Sequence, residues 1–120
     1  MIGEAAPGFH VINGVDDYGL EAFIMGSPAA VSGTSNVIID LYVGIYTAFK
    51  KGNLKKAREL QLTMEKATRV LEYGAKAAIF KEGARLRGID AGYVRPPQRE
   101  LTAPEKKKLA RELDALGLLK

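Results

Sequence analysis

Two short segments gather glycines, carboxylates and hydroxyls: Asn13-Gly14-Val15-Asp16-Asp17 and Ser32-Gly33-Thr34-Ser35-Asn36. In each, a glycine lets the backbone turn sharply and approach a ligand, and a following helix would aim free N–H groups at the same space. That chemistry is recognition of a small polar substrate through its carboxylate or hydroxyls. Taken singly, Asp16 or Asp17 could serve only to cap a short helix and Ser35 a long one. The two segments together, one structural unit apart, carry more weight than either. Elsewhere the chain offers little reactive chemistry. It has no cysteine, and His10 is its one imidazole, which excludes thiol nucleophiles, thiolate metal sites and multi-histidine sites. His10 lies in an apolar run and reads as a core residue. No Ser-His-Asp set, carboxylate-histidine cluster or phosphate loop can be assembled, so neither a metal nor a cofactor is expected.

The elements that must position these groups follow from periodicity and breakers. Residues 9–13 form an apolar run of strand length ended by Gly14, and residues 29–32 a second, brief strand after Pro28. Between them, Leu20, Phe23 and Ile24 recur at helical spacing over residues 18–25, before Gly26. Residues 36–51 are apolar on nearly every face and stop at Gly52, so this helix needs cover on more than one side. Asn53 starts an amphipathic helix to about residue 73, residues 75–86 give another before Gly88, and residues 91–99 are an extended crossing marked by Pro96-Pro97. Thr102-Ala103-Pro104-Glu105 is a capping box with proline in the first turn, opening a last helix that carries Leu109, Leu113 and Leu116 on one face.

The order strand, helix, strand, then helices reads as one parallel βαβ crossover followed by a helical region. Parallel strands need cover on both faces, and two alone do not make a stable sheet. The chain therefore reads as one end of a larger α/β unit. Its 120 residues, 47% hydrophobic and 27% charged, suit a single globular domain. The net charge of +4 is unevenly spread: residues 1–49 hold five acids and no Lys or Arg, and all eighteen basic residues lie beyond. The basic residues of 50–69 are interleaved with Glu59 and Glu65 at helical spacing, with Glu65 and Arg69 in the favourable i,i+4 order. That pattern describes a solvated helix face, and no nucleic-acid partner is expected. No apolar stretch approaches the roughly 20 residues that span a bilayer, so no membrane contact is expected and the cytosol is the expected compartment.

A set of motifs in fixed order goes further. A strand leads into the Gly-Xaa-Asp turn at Gly14 to Asp16, and a small-residue strand ends in Gly33-Thr34-Ser35-Asn36. Then come Lys51-Gly52-Asn53 with Ala57, Lys81 before Gly88, Arg95-Pro96-Pro97, and a final helix ending Gly117-Leu118-Leu119. In these residues the chain resembles the dihydrodipicolinate synthase and N-acetylneuraminate lyase superfamily, (β/α)8 barrels with extra C-terminal helices. The resemblance implies an α/β fold class, the C-terminal part of a TIM barrel, mostly helical as an isolated chain. Residues 1–35 would be the last two βα units, with strands seven and eight at 9–13 and 29–32. Residues 36–120 would be the eighth barrel helix and the C-terminal helical extension.

Members of that family form a Schiff base between a sixth-strand lysine and pyruvate or a related 2-oxo acid, and a fifth-strand tyrosine relays protons. An iminium withdraws electrons, so a neighbouring carbon–carbon bond can be cleaved or formed. By the resemblance both strands precede Met1, so the chain alone is expected to be inactive. Lys81 matches a helix lysine outside the barrel rather than the nucleophile. Gly14, Asp16 and Asp17 match positions that contact the hydroxylated tail of a sugar acid, and Val31, Ser32 and Gly33 the strand end lining the pocket floor. Gly33 stands where the sialic acid lyases have serine, and Ser35 where they have tyrosine, which turns the expectation toward 2-keto-3-deoxy sugar acids. The implied partners are a small 2-oxo acid, a second copy of the chain, or a missing N-terminal barrel portion. The alternative reading is a non-catalytic helical interaction or oligomerisation module derived from the family.

Overall fold

The computed structural model describes Gly3, residues 5–73 and residues 75–119. A 3-10 turn, Asp16–Tyr18, leads into α1 (Gly19–Ile24). Then follow α2 (Ser35–Lys50), α3 (Leu54–Leu71), α4 (Lys76–Leu86) and α5 (Ala103–Ala115). The two expected strands shrink to one parallel bridge between Asn13 and Ala30. The physical reason is that two parallel strands alone do not make a stable sheet, and the described residues supply no third.

This leaves the apolar run of the first strand segment uncovered. Phe9 and Ile12 are 68% and 52% exposed. His10 is exposed as well, which corrects its reading as a core residue. The core sits among the helices instead. Val37, Ile38, Leu41, Ile45 and Ala48 make the buried face of α2, against Ala57, Met64, Ala67 and Leu71 of α3. Ala78 and Ile79 of α4, with Leu109 and Leu113 of α5, close the cluster. Each fully buried Leu, Ile or Met side chain contributes about 1.5–3 kcal/mol.

The punctuation acts as its residue types dictate. Asn53 accepts the Lys56 N–H at 3.0 Å to start α3. Gly52 takes φ +72° after α2, where a Cβ would be strained, and its N–H donates to the Phe49 carbonyl at 2.9 Å. Thr102 and Glu105 complete the capping box of α5. Arg87 ties the helical region together: its guanidinium lies 3.1 Å from Asp40 on α2 and donates to the Leu118 carbonyl at 3.0 Å. On α3 the ion pair among the described residues is Lys56 with Glu59, rather than Glu65 with Arg69.

The face of α2 that its sequence says must be covered is open. Ile39 and Val43 are 55% and 56% exposed, and Tyr46 is also exposed. The Cα radius of gyration is 15.8 Å, against about 14 Å for a closed domain of this length. The described residues thus form a flattened helical assembly with a raw apolar side. Among them, no helix is long and apolar enough to cross a membrane.

Candidate functional site

The bridge brings the two polar segments side by side. The Asn13 N–H donates to the Ala29 carbonyl at 3.3 Å and the Val31 N–H to the Asn13 carbonyl at 2.8 Å. The Asn13 side chain closes the turn beyond, donating to the Val15 carbonyl at 2.7 Å and accepting the Val15 N–H at 3.2 Å. Gly14 lies under the second segment, where a Cβ would stand 3.9 Å from the Val31 carbonyl oxygen. Ser27 braces the pair, its hydroxyl lying 2.8 Å from both the Val11 and the Ala29 carbonyl oxygens, between which its single proton is shared.

The centre of the site is the Asp16 carboxylate. Its Oδ2 accepts the Thr34 hydroxyl at 2.8 Å, and its Oδ1 accepts the Tyr42 hydroxyl. Thr34 Oγ1 also lies 2.9 Å from Ser32 Oγ, and the Thr34 N–H donates to Ser32 Oγ at 3.0 Å. Each hydroxyl has one proton. Thr34 and Tyr42 spend theirs on Asp16, so Ser32 donates to Thr34, and the 3.0 Å approach of Thr34 to Tyr42 carries no further hydrogen bond. From below, the Gln61 amide of α3 donates to the Asp16 carbonyl at 2.9 Å and accepts the buried Leu20 N–H at 3.1 Å. Burial first, and the hydrogen bond to Asp16 second, push the Tyr42 phenol up to about 12. Tyr42 therefore stays a donor across the whole neutral range.

These contacts differ from simple capping. No side chain caps the Asp16–Tyr18 turn, α1 or α2. Ser35 turns back to donate to the Ser32 carbonyl at 2.6 Å, and Asn36 to the Gly33 carbonyl at 3.0 Å. The first turn of α2 is then offset by a non-helical Ile38, at φ −126° and ψ 42°. Asp17 keeps Oδ1 buried without a hydrogen-bond partner. Gly33 packs under Phe80, whose ring edge would lie 2.8 Å from an added Cβ.

The structure thus joins Asp16 and Ser32 through Thr34, sets Gly14 beside Val31, and leaves Val31 exposed. Sequence reasoning placed Thr34 in the second polar segment without a role of its own, and missed Tyr42 and Gln61 as neighbours of Asp16. Tyr42 was visible only as an apolar residue of the long helix. The usable signal was its hydroxyl, which must find a partner wherever the ring is packed.

No ion pair among the described residues involves Asp16 or Asp17; the groups that hydrogen-bond Asp16 are the Thr34 and Tyr42 hydroxyls and the Gln61 amide. Such a cluster offers hydrogen-bonding groups suited to a polar ligand, but it holds no amine nucleophile. Lys81 is committed elsewhere, its Nζ donating to the Ala91 carbonyl at 2.6 Å. Among the described residues no three His, Cys, Asp or Glu gather where a metal could be held. Beside the cluster, an open groove of about 320 Å³ runs between α1, residues 28–30 and α2, and Tyr42, Val43 and Tyr46 line one wall.

Comparison with known proteins gives this arrangement a context. The profile of the Dihydrodipicolinate synthetase family matches residues 1–116. A 4-hydroxy-tetrahydrodipicolinate synthase of Methanopyrus kandleri is 34% identical over 119 residues, which are 99% of this chain and 40% of that protein. Among solved structures, YagE of Escherichia coli, a dihydrodipicolinic acid synthase family protein in complex with pyruvate, superposes with TM-score 0.86 at 26% identity. The match covers 93% of this chain and 38% of YagE. N-acetylneuraminate lyase of Proteus mirabilis gives TM-score 0.76 at 33% identity, covering 88% of this chain and 36% of the lyase. The chain spans about 40% of the length of the curated relatives it matches.

Proposed function

The chain belongs to the dihydrodipicolinate synthetase family, and from that premise we propose that it forms the C-terminal portion of a Schiff-base-forming lyase or aldolase barrel. The substrates are pyruvate or 2-keto-3-deoxy sugar acids, and the reactive lysine comes from outside residues 1–120. Residues 1–35 would be the last two βα units and residues 36–120 the eighth helix with its helical extension. The complete unit would work in the cytosol.

The observation that carries this reading is the corner where Asp16, Ser32 and Thr34 meet just past the paired segments. That is where α/β barrels place their ligand-binding loops. An acceptor carboxylate held by two hydroxyls suits a polyhydroxylated tail, and Gly14, Asp17, Val31 and Gly33 would complete that wall. The pyruvate complex of YagE and the sugar-acid substrate named for the Proteus enzyme support the two halves of the substrate. The test is borohydride trapping with pyruvate. The chain alone should give no adduct, and the chain combined with a polypeptide carrying the first six barrel strands should give one on that polypeptide. A pyruvate adduct on a lysine of residues 1–120 would sink the proposal.

A second reading, a non-catalytic interaction or oligomerisation module, is favoured by one observation: the exposed Ile39, Val43 and Tyr46 beside the groove. It predicts self-association of the chain, measurable by light scattering, with no activity in any combination.

A further inference from the structure

Tyr42 reaches the candidate site from a helix, 26 residues away from the carboxylate it holds. Asp16 belongs to the first polar loop and Thr34 and Ser32 to the second, so the Asp16 carboxylate is the shared anchor of both. Thr34 alone would join the loops through one rotatable hydroxyl. Tyr42 adds a second donor on the other oxygen, carried by a ring seated in α2 beside the groove. Two donors on two oxygens fix the plane of a carboxylate, where a single donor leaves it free to swing. With no cation paired to Asp16, nothing else among the described residues performs this task.

We propose that Tyr42 is a positioning residue that locks the two loops, residues 13–17 and 31–34, into one preset surface for the hydroxylated tail of the substrate. Tyr42 does not touch the substrate. It acts through Asp16 and Thr34, so that the tail-binding groups are oriented before the ligand arrives and less ordering is spent on binding. The inference rests on the proposed lyase function only for the identity of the ligand.

The experiment uses Tyr42→Phe, which removes one hydroxyl and keeps the ring against its neighbours. In the chain combined with the first six barrel strands, KM for a 2-keto-3-deoxy sugar acid should rise about tenfold, the equivalent of one hydrogen bond to a charged group. Turnover at saturation and pyruvate trapping should stay as in the unsubstituted protein. A fall in turnover matched by a fall in trapping, or no change in KM, overturns the proposal. A second arm needs no activity. In the 120-residue chain, amide hydrogen exchange of Val15 and Thr34, the hydrogen-bonded amides of the two loops, should accelerate together at least fivefold in Tyr42→Phe while α3 amides hold their rates. Exchange that changes in one loop only, in neither, or that is already unprotected in both loops of the unsubstituted chain, overturns it. If the combined protein shows no lyase activity while the two loops respond together, the substrate reading fails and the locking role stands.

Discussion

Gly83 of α4 faces Val37 of α2 so closely that a methyl group added at Gly83 would stand 2.9 Å from Val37 Cγ1 and 3.0 Å from Cγ2. Val37 is fully packed and stiff at χ1, so it cannot swing aside. Gly83→Ala should therefore destabilise the chain by about 1–3 kcal/mol through overpacking. The gain of about 1 kcal/mol that alanine brings to a helix interior offsets only part of it. Urea unfolding measures this, and Val37→Ala in the same chain should restore much of the loss. Additive effects of the two substitutions would show that the contact is not what matters.

Gln61 is a buried amide that bonds the Leu20 N–H and the Asp16 carbonyl. Gln61→Leu keeps the volume and strands a buried N–H, at a cost of about 1–3 kcal/mol. The same change should loosen the Asp16–Tyr18 turn, seen as faster amide exchange at Leu20. Unchanged exchange there would contradict the hydrogen bond.

The acid response should centre on Glu105. The bidentate pair with Arg99 at 2.8 Å, and then the Thr102 N–H, hold its carboxyl down at about 2. A depressed carboxyl stabilises the fold above its unfolded value of 4.5, and the contribution is lost as pH falls toward 2. Acid unfolding followed by dichroism should show a component between about pH 4.5 and 2 that Glu105→Gln removes. Tyr42 has the opposite sign. Its raised phenol favours the folded state below pH 10, and that contribution fades as pH climbs from 10 to about 12. Tyr42→Phe should flatten this alkaline limb.

The open wall of α2 offers a test of assembly. Val43→Lys places a charge on a residue 56% exposed in this chain, so the folded helices should be unaffected by dichroism. Combination with the first six barrel strands should nonetheless fail, since the lysine would be buried without a partner. Normal combination would show that this side of α2 is not covered in the assembled barrel.

The helices were legible because each carries its own punctuation: Asn53, Gly52, Gly88 and the Thr102–Glu105 box all act within a few residues of themselves. The strands were legible as pattern but not as structure, because a parallel strand is defined by neighbours that the described residues do not contain. The candidate site was half legible. Asp16 and Ser32 stand out by type and place, whereas Tyr42 and Gln61 reach them across 26 and 45 residues, and no local spacing announces such contacts. His10 misled for the same reason as the strands: its apolar neighbours describe a core completed by other residues.

The Asn13–Ala30 bridge has a consequence for solubility. Two backbone hydrogen bonds, each worth about 0.5–1.5 kcal/mol net, hold two segments whose outer edges have no strand neighbour among the described residues and whose side chains include the exposed Phe9, Ile12 and Val31. A bare apolar edge is a template for any extended peptide, its own copies included. Pro28 guards one end of it, since it has no N–H to offer an incoming strand. The feature that would let the chain close a barrel is thus also its main route to aggregation, and concentrated solutions should precipitate through residues 9–13 and 29–32 before the helices melt.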